Sequence, residues 1–204
     1  MGSTERRARA KEDLRRAIMD AARKLFATED YKAVSMRRIA EAIEYSPTAL
    51  YLHFNDKEEI LLRLIDEGFD MLRGRLESIT NTNPIERLRE GGHVYFAFAF
   101  EQPHYYRIMF QLEDKEMATR IAEQIQCGTR AFGFIRRAVQ EARDQHLLPT
   151  SQDEIVLSHT LWASLHGAVS LTLSGHLNML PEGLHSAFFN TVIDAGLLGI
   201  AGDK

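Results

Sequence analysis

Cysteine is nearly missing: Cys127 is the single one in 204 residues. That excludes a disulfide framework and a thiolate metal cluster, and makes a reducing compartment the default. Long apolar runs are missing too. None reaches the roughly 18 residues of a membrane span, and the N-terminus MGSTERRARAKEDLRR holds no apolar core of the kind a secretory signal carries. The reading is a cytoplasmic protein with no membrane partner. Strand-like alternation is scarce, and repeats and low-complexity linkers are absent. No Ser-His-Asp arrangement, Walker loop or HExxH motif is present. His159, His166 and His176 are near one another in the chain, but no carboxylate stands between the first two. No enzyme, metal site or cofactor is expected.

What is present is a globular composition, 45% hydrophobic and 26% charged, long enough for one large or two small domains. The net charge of −4 hides an asymmetry. Residues 1–57 carry 12 Lys/Arg against 9 Asp/Glu, and residues 58–204 carry 13 against 20. A basic end on an acidic body points to a polyanionic partner at that end; a solvated tail is the plainer alternative.

Helical periodicity dominates. Leu14, Ile18, Ala21 and Leu25 form a stripe that predicts a helix from about residue 11 to Thr28. Ser35 stands as N-cap before MRRIAEAI, and Ser46 as N-cap before Pro47 at the first helical position. Asp56 with Glu59 predicts a capping box opening a long helix over 56–79. Pro84 opens another, in which VYFAFAF (94–100) is read as buried helix and Gly91-Gly92 as a close helix contact or a kink. PHYYRIMF is a short helix, 115–146 a long one that includes Ile121, Ile125 and Phe132. A capping box at SQDE (151–154) precedes 155–173, apolar nearly all round, and Pro181 opens the last helix. The fold class is all-α, with nine helices and no strand.

Two short helices with a tight turn at Glu44-Tyr45 predict a helix-turn-helix, whose second helix enters the major groove. Leu50 and Phe54 face inward. Ser46, Pro47, Thr48, Ala49, Tyr51 and His53 are left to meet DNA, with Thr48 and Ala49 suited to a thymine methyl and Tyr51 and His53 to phosphate. Ser35 and Met36 open a helix whose free N–H groups suit an anion. Arg37 is a candidate base or phosphate contact, and Lys57 a phosphate contact. Arg6, Arg7 and Arg9 suit the minor groove or the backbone. The plainer alternative for Tyr51 and His53 is covering a helix face.

Residues 16–61, RAIMDAARKLFATEDYKAVSMRRIAEAIEYSPTALYLHFNDKEEIL, resemble the DNA-binding domain of the TetR family of bacterial transcriptional regulators. The resemblance rests on Ile18, Ala22, Leu25 and Phe26, on Ser35 before Arg38-Ile39-Ala40, and on Leu50-Tyr51-His53-Phe54 followed by Lys57. It implies an all-helical homodimer with a DNA-binding domain at 1–55 and a ligand-binding and dimerisation domain at 56–204. Glu44, Thr48 and the neighbourhood of Asp30 depart from the glycines usual in that family. Leu161-Trp162-Ala163-Ser164-Leu165-His166-Gly167, with Tyr105 to Phe110, is similar to the subgroup with a Trp…His-Gly signature.

The expected function is a repressor bound to a palindromic operator on double-stranded DNA and released by a small, mostly apolar effector. Phe96, Phe100, Tyr105, Met109, Phe110, Trp162 and His166 are its candidate contacts; a packed core is the alternative for each. Leu161, Leu165, Val169, Phe189, Val192 and Ile193 are the candidate dimer residues, because the last two helices are apolar on more than one side. The competing reading is a DNA-binding module controlled by a protein partner.

Overall fold

Side-chain caps set most of the helix starts. The computed structural model of the chain describes residues 2–111, 114, 117, 119 and 126–201, and among these it holds nine α-helices, one 3-10 turn and no strand. The helices are α1 (Ser3–Thr28), α2 (Met36–Ala42), α3 (Pro47–Tyr51), α4 (Lys57–Glu77), α5 (Pro84–Glu101), α6 (Pro103–Phe110), α7 (Gln126–Asp144), α8 (Glu154–Leu173) and α9 (His185–Ala201), with the turn Glu182–Leu184 leading into α9. Of the long helix expected over 115–146, Ile121 and Ile125 lie outside the described residues.

The chain divides into two compact units, Met1–Gly68 with His104–Ile125, and Phe69–Pro103 with Gln126–Lys204. The packing boundary therefore falls inside α4. In the first unit α1 buries Ile18, Ala22 and Phe26, α2 buries Ile39 and Ala40, and α3 buries Leu50. Phe54, Ile60, Leu61 and Leu64 complete that core together with Tyr106 and Ile108 of α6. The α1 helix begins at Ser3, well before the expected residue 11. Residues 4–13 are exposed on every side. With no apolar stripe there is no periodic signal, although Arg, Lys, Glu and Ala are all good helix formers. Glu59 donates its N–H to Asp56 at 2.8 Å, and its carboxylate reaches back to the N–H of Asn55 at 2.9 Å, so the expected capping box closes one residue early.

In the second unit Asn83 caps α5 by accepting from Ile85 and Glu86. Gly91 and Gly92 are close-contact glycines and not a kink. A Cβ at Gly91 would stand 2.8 Å from the Phe134 ring of α7, and one at Gly92 would stand 2.9 Å from Ile193 of α9. Asp153, and not Ser151, caps α8, accepting from Ile155 at 2.7 Å. The expected box is corrected because the Glu154 carboxylate is engaged by Arg136 and does not reach back to Ser151.

The expected dimer residues differ in how far the chain itself covers them. Leu161, Leu165, Val169 and Ile193 are 0–3% exposed, buried inside the chain itself; Phe189 and Val192 are half-buried. An all-round apolar helix carries no mark of which face turns inward, and α9 packs on the face of α8 that carries these large side chains: Gly196 meets Leu161. Ile155, Val156, Leu171 and Leu198 are the large apolar side chains that these two helices leave outside, Leu198 at 72% exposure. The stretch Glu182–Ala201 is long and apolar enough to cross a bilayer by length and composition, with mean hydropathy 1.3, and 22% of it is buried within the chain.

Candidate nucleic-acid interface

Four small devices hold α2 and α3 in place. Ser35 Oγ accepts from the Arg38 N–H at 3.2 Å, starting α2. The helix stops in a Schellman turn, with Tyr45 N–H to the Ala40 carbonyl at 3.0 Å and Glu44 N–H to that of Glu41 at 3.2 Å. This turn puts Glu44 at φ 60°, in the left-handed region where an L residue is strained. Ser46 Oγ then accepts from Ala49 N–H at 3.3 Å and starts α3 with Pro47 in its first turn. Arg38 grips Glu29 through two nitrogens, at 2.6 and 2.8 Å, and ties α2 to the end of α1. The same bond holds the Glu29 carboxyl below its usual range.

This frame leaves Ser46, Pro47, Thr48 and Tyr51 exposed and Ala49 half-buried. Arg37 is exposed and paired to Glu41 at 2.8 Å. Arg6, Arg7 and Arg9 stand on the exposed first turns of α1. His53 is half-buried, and its Nδ1 is enclosed without a hydrogen-bond partner among the described residues. Burial, then Lys11 and Arg15 nearby, lowers its pKa. Arg15 lies 4.8 Å over the Phe54 ring.

Two of the expected contacts are engaged within the protein itself. Met36 is 7% exposed, so its side chain belongs to the core. The Lys57 side chain is half-buried and its ammonium is bonded within the protein. It donates to the carbonyls of Tyr31 at 2.7 Å and Val34 at 2.8 Å, above the Tyr31 ring at 4.0 Å. Burial lowers its pKa, against the pull of Asp114 and Asp30. The loop before α2 has carbonyls to satisfy, and a long flexible side chain reaches them. Conversely, two exposed groups escaped the sequence reading: Tyr45 at 51% and Leu52 at 75% exposure. The available signal was the helical spacing of Thr48 and Leu52, four apart.

The seven candidate effector contacts are divided between the units. Tyr105, Met109 and Phe110 are in the first. Tyr105 packs under Arg23 at 4.9 Å, and burial followed by a hydrogen bond to Glu67 pushes its hydroxyl pKa up. Phe96, Phe100, Trp162 and His166 are in the second. There Phe96 and Phe100 pack on Phe189 at 4.7 and 5.0 Å between ring centres, and Trp162 on His166 at 5.4 Å. His166 Nδ1 lies 3.2 Å from the Tyr95 hydroxyl and Nε2 lies 3.3 Å from Ser170 Oγ. Burial lowers its pKa, so the ring is neutral at pH 7, with one nitrogen donating and the other accepting. Tyr95 and Ser170 were not anticipated; a buried tyrosine hydroxyl requires a partner, and that was the sign.

The second unit also has a groove of about 470 Å³, walled by Ile85, Leu147, Leu148 and Leu197 and by Arg89 in contact with Asp194. None of the expected seven lines it. Among the described residues no three His, Cys, Asp or Glu side chains form a group able to hold a metal ion.

Residues 18–64 match the family model of bacterial regulatory proteins, tetR family, and residues 88–195 match that of the tetracyclin repressor-like C-terminal domain. An uncharacterized HTH-type transcriptional regulator of Haemophilus influenzae is 31% identical over 113 residues, covering 52% of this chain and 53% of that protein. The match thus spans about half the length of this curated relative. A putative fatty acid metabolism regulator of Clostridium perfringens has the same fold, with a TM-score of 0.68 and 26% identity over 91% of this chain and 96% of that one. A fatty acid degradation regulator of Bacillus halodurans aligns with a TM-score of 0.69 and 19% identity over 92% and 94% of the two chains. With its helix-turn-helix, its all-helical remainder and a family match over more than half its length, the chain belongs to the tetR family of bacterial regulatory proteins.

Proposed function

We propose that this regulator is a repressor that binds a palindromic operator as a homodimer and releases it when a small, mostly apolar effector binds. Residues 1–55 are the DNA-binding part and residues 56–204 the sensing and dimerising part. The observation that carries the reading is the capped pair α2 and α3, with Ser46, Pro47, Thr48 and Tyr51 turned outward. Arg37, His53, Arg6, Arg7 and Arg9 supply contacts to the flanking backbone.

Dimerisation is supported by the apolar surface that α8 and α9 leave open at Val156, Leu171 and Leu198. A second copy covers it and sets two recognition helices about one helical turn of DNA apart, or a multiple of it. The neutral His166, between Tyr95 and Ser170 and against Trp162, is a polar anchor of the sort that orients an apolar ligand. Assignment to the Trp…His-Gly subgroup belongs to the same proposal. The Clostridium perfringens relative, described as a fatty acid metabolism regulator, suits an effector with an apolar chain.

Selection of bound duplexes from a random pool tests the reading. The expected product is a palindrome bound by a dimer in sedimentation, with affinity falling steeply as salt is added because phosphate contacts release counterions. A monomer that enriches no duplex overturns it. The effector part is tested by a thermal-shift screen of apolar acids, alcohols and amines; a stabilising compound that leaves operator affinity unchanged overturns release.

A further inference from the structure

We infer that the outer surface of α3 reads its half-site through thymine methyl groups, with Leu52 as the central contact and Tyr45 and Tyr51 beside it. The inference rests on the operator reading above and names the chemistry of that site. Leu50 is fully buried and fixes which side of α3 faces inward. On the other side Pro47 and Tyr51 are four apart, and so are Thr48 and Leu52, which places them as neighbours. Tyr51 is 56% exposed, Leu52 75% and Tyr45, just before the cap, 51%. Three large apolar groups within eight residues face water on the face that meets DNA.

The polar inventory of that face is short. Residues 45–52, YSPTALYL, contain no Lys, Arg, Asn or Gln, the side chains that read guanine and adenine by paired hydrogen bonds. Ser46 Oγ already accepts from Ala49 N–H, and the neighbouring Arg37 is paired to Glu41. Among base edges in the major groove the thymine C5-methyl is the apolar one. Cations lie near this surface: Arg15 stands over the Phe54 ring, next to His53, and Lys11 and Arg15 are close enough to His53 to lower its pKa. An apolar surface with cations close by suits a major groove, where methyl groups lie between two rows of phosphates. An apolar protein partner would offer Lys11 and Arg15 no anion.

The test replaces each thymine of the selected operator, one position at a time, by deoxyuridine, which removes the methyl and keeps the pairing. Fluorescence anisotropy at fixed salt reads the affinity for wild type and for L52A, whose position is exposed and whose fold is checked by circular dichroism. Wild type is expected to lose about four-fold at each contacted thymine, the effect of one buried methyl group. L52A is expected to bind the thymine operator several-fold more weakly and to lose little further at those positions. Placing 5-methylcytosine there in place of cytosine should tighten wild type and leave L52A unchanged. Wild type that binds every uridine-substituted operator as tightly as the original overturns the inference and leaves the operator reading standing. L52A with undiminished operator affinity overturns it as well. A protein that binds no duplex overturns the operator reading, and this inference with it.

Discussion

Helix α3 is five residues long and buries Leu50 alone, whereas α8 is twenty residues long and buries six. Caps and a Schellman turn hold the first in place, because it has little surface to bury. Packing holds the second, which is apolar on nearly every side. The difference separates two ways of placing a helix. One fixes its ends and leaves a face free for a partner, and the other buries a face and leaves the rest to be covered.

Truncation of a buried side chain separates the two ways most strongly. Leu161→Ala should cost about 2–5 kcal/mol in denaturant unfolding, because Leu161 is 2% exposed. Leu50→Ala, at 0% exposure, should cost as much and abolish DNA binding. Leu171→Ala, on the outer side of α8, should stay within about 0.5 kcal/mol for the protomer and weaken the dimer in sedimentation. A core-sized loss for the monomer from Leu171→Ala would erase the distinction between faces.

Next come the glycines. Gly92→Val drives a branched side chain into Ile193, 2.9 Å from the Cβ position, and should cost about 1–3 kcal/mol. At Gly167 in α8 a Cβ meets nothing within 4 Å, so Gly167→Ala should stabilise by up to about 1 kcal/mol. A thermal melt of each variant checks the pair of opposite signs.

The α3 end of the comparison is sharpened at its caps. Ser46→Ala should cost about 1 kcal/mol and weaken operator binding beyond that loss, since the recognition helix loses its start. Glu44→Gly should stabilise by about 0.5–1 kcal/mol, by relieving the strain of φ 60°. It also removes a negative charge beside the proposed DNA surface, so operator affinity should rise.

The smallest effect is in pH. Burial lowers the pKa values of His53, His104 and His166 from 6.5. The unfolded chain therefore binds protons that the folded chain does not, and stability falls as pH drops through 6.5 toward the lower folded values. The melting temperature should be lower at pH 5.5 than at pH 7.5. His166→Gln should flatten the slope, and an unchanged slope would exclude His166 as a contributor.

Legibility follows the same division. The starts of α2 and α3 were readable because Ser35, Ser46 and Pro47 each act on their own nearest turn; Gly91-Gly92 were readable as costly inside a helix, but a close contact and a kink were equally open. The start of α1 was not readable, since residues 4–13 carry helix-forming side chains without a buried stripe. The α8 face was illegible for the opposite reason, too many apolar positions, and Leu161, Leu165 and Val169 turned inward. The bonds of Lys57 were not readable because its reach is long: its charge suggested phosphate, and the carbonyls it satisfies belong to a loop more than twenty residues away in the chain.

That lysine makes the first turn of α4 a hinge pin. Its ammonium is fastened to the segment just ahead of Ser35, so a tilt of α4 cannot proceed alone. Either the 31–34 segment travels with it and swings α2, or two charge-assisted bonds break.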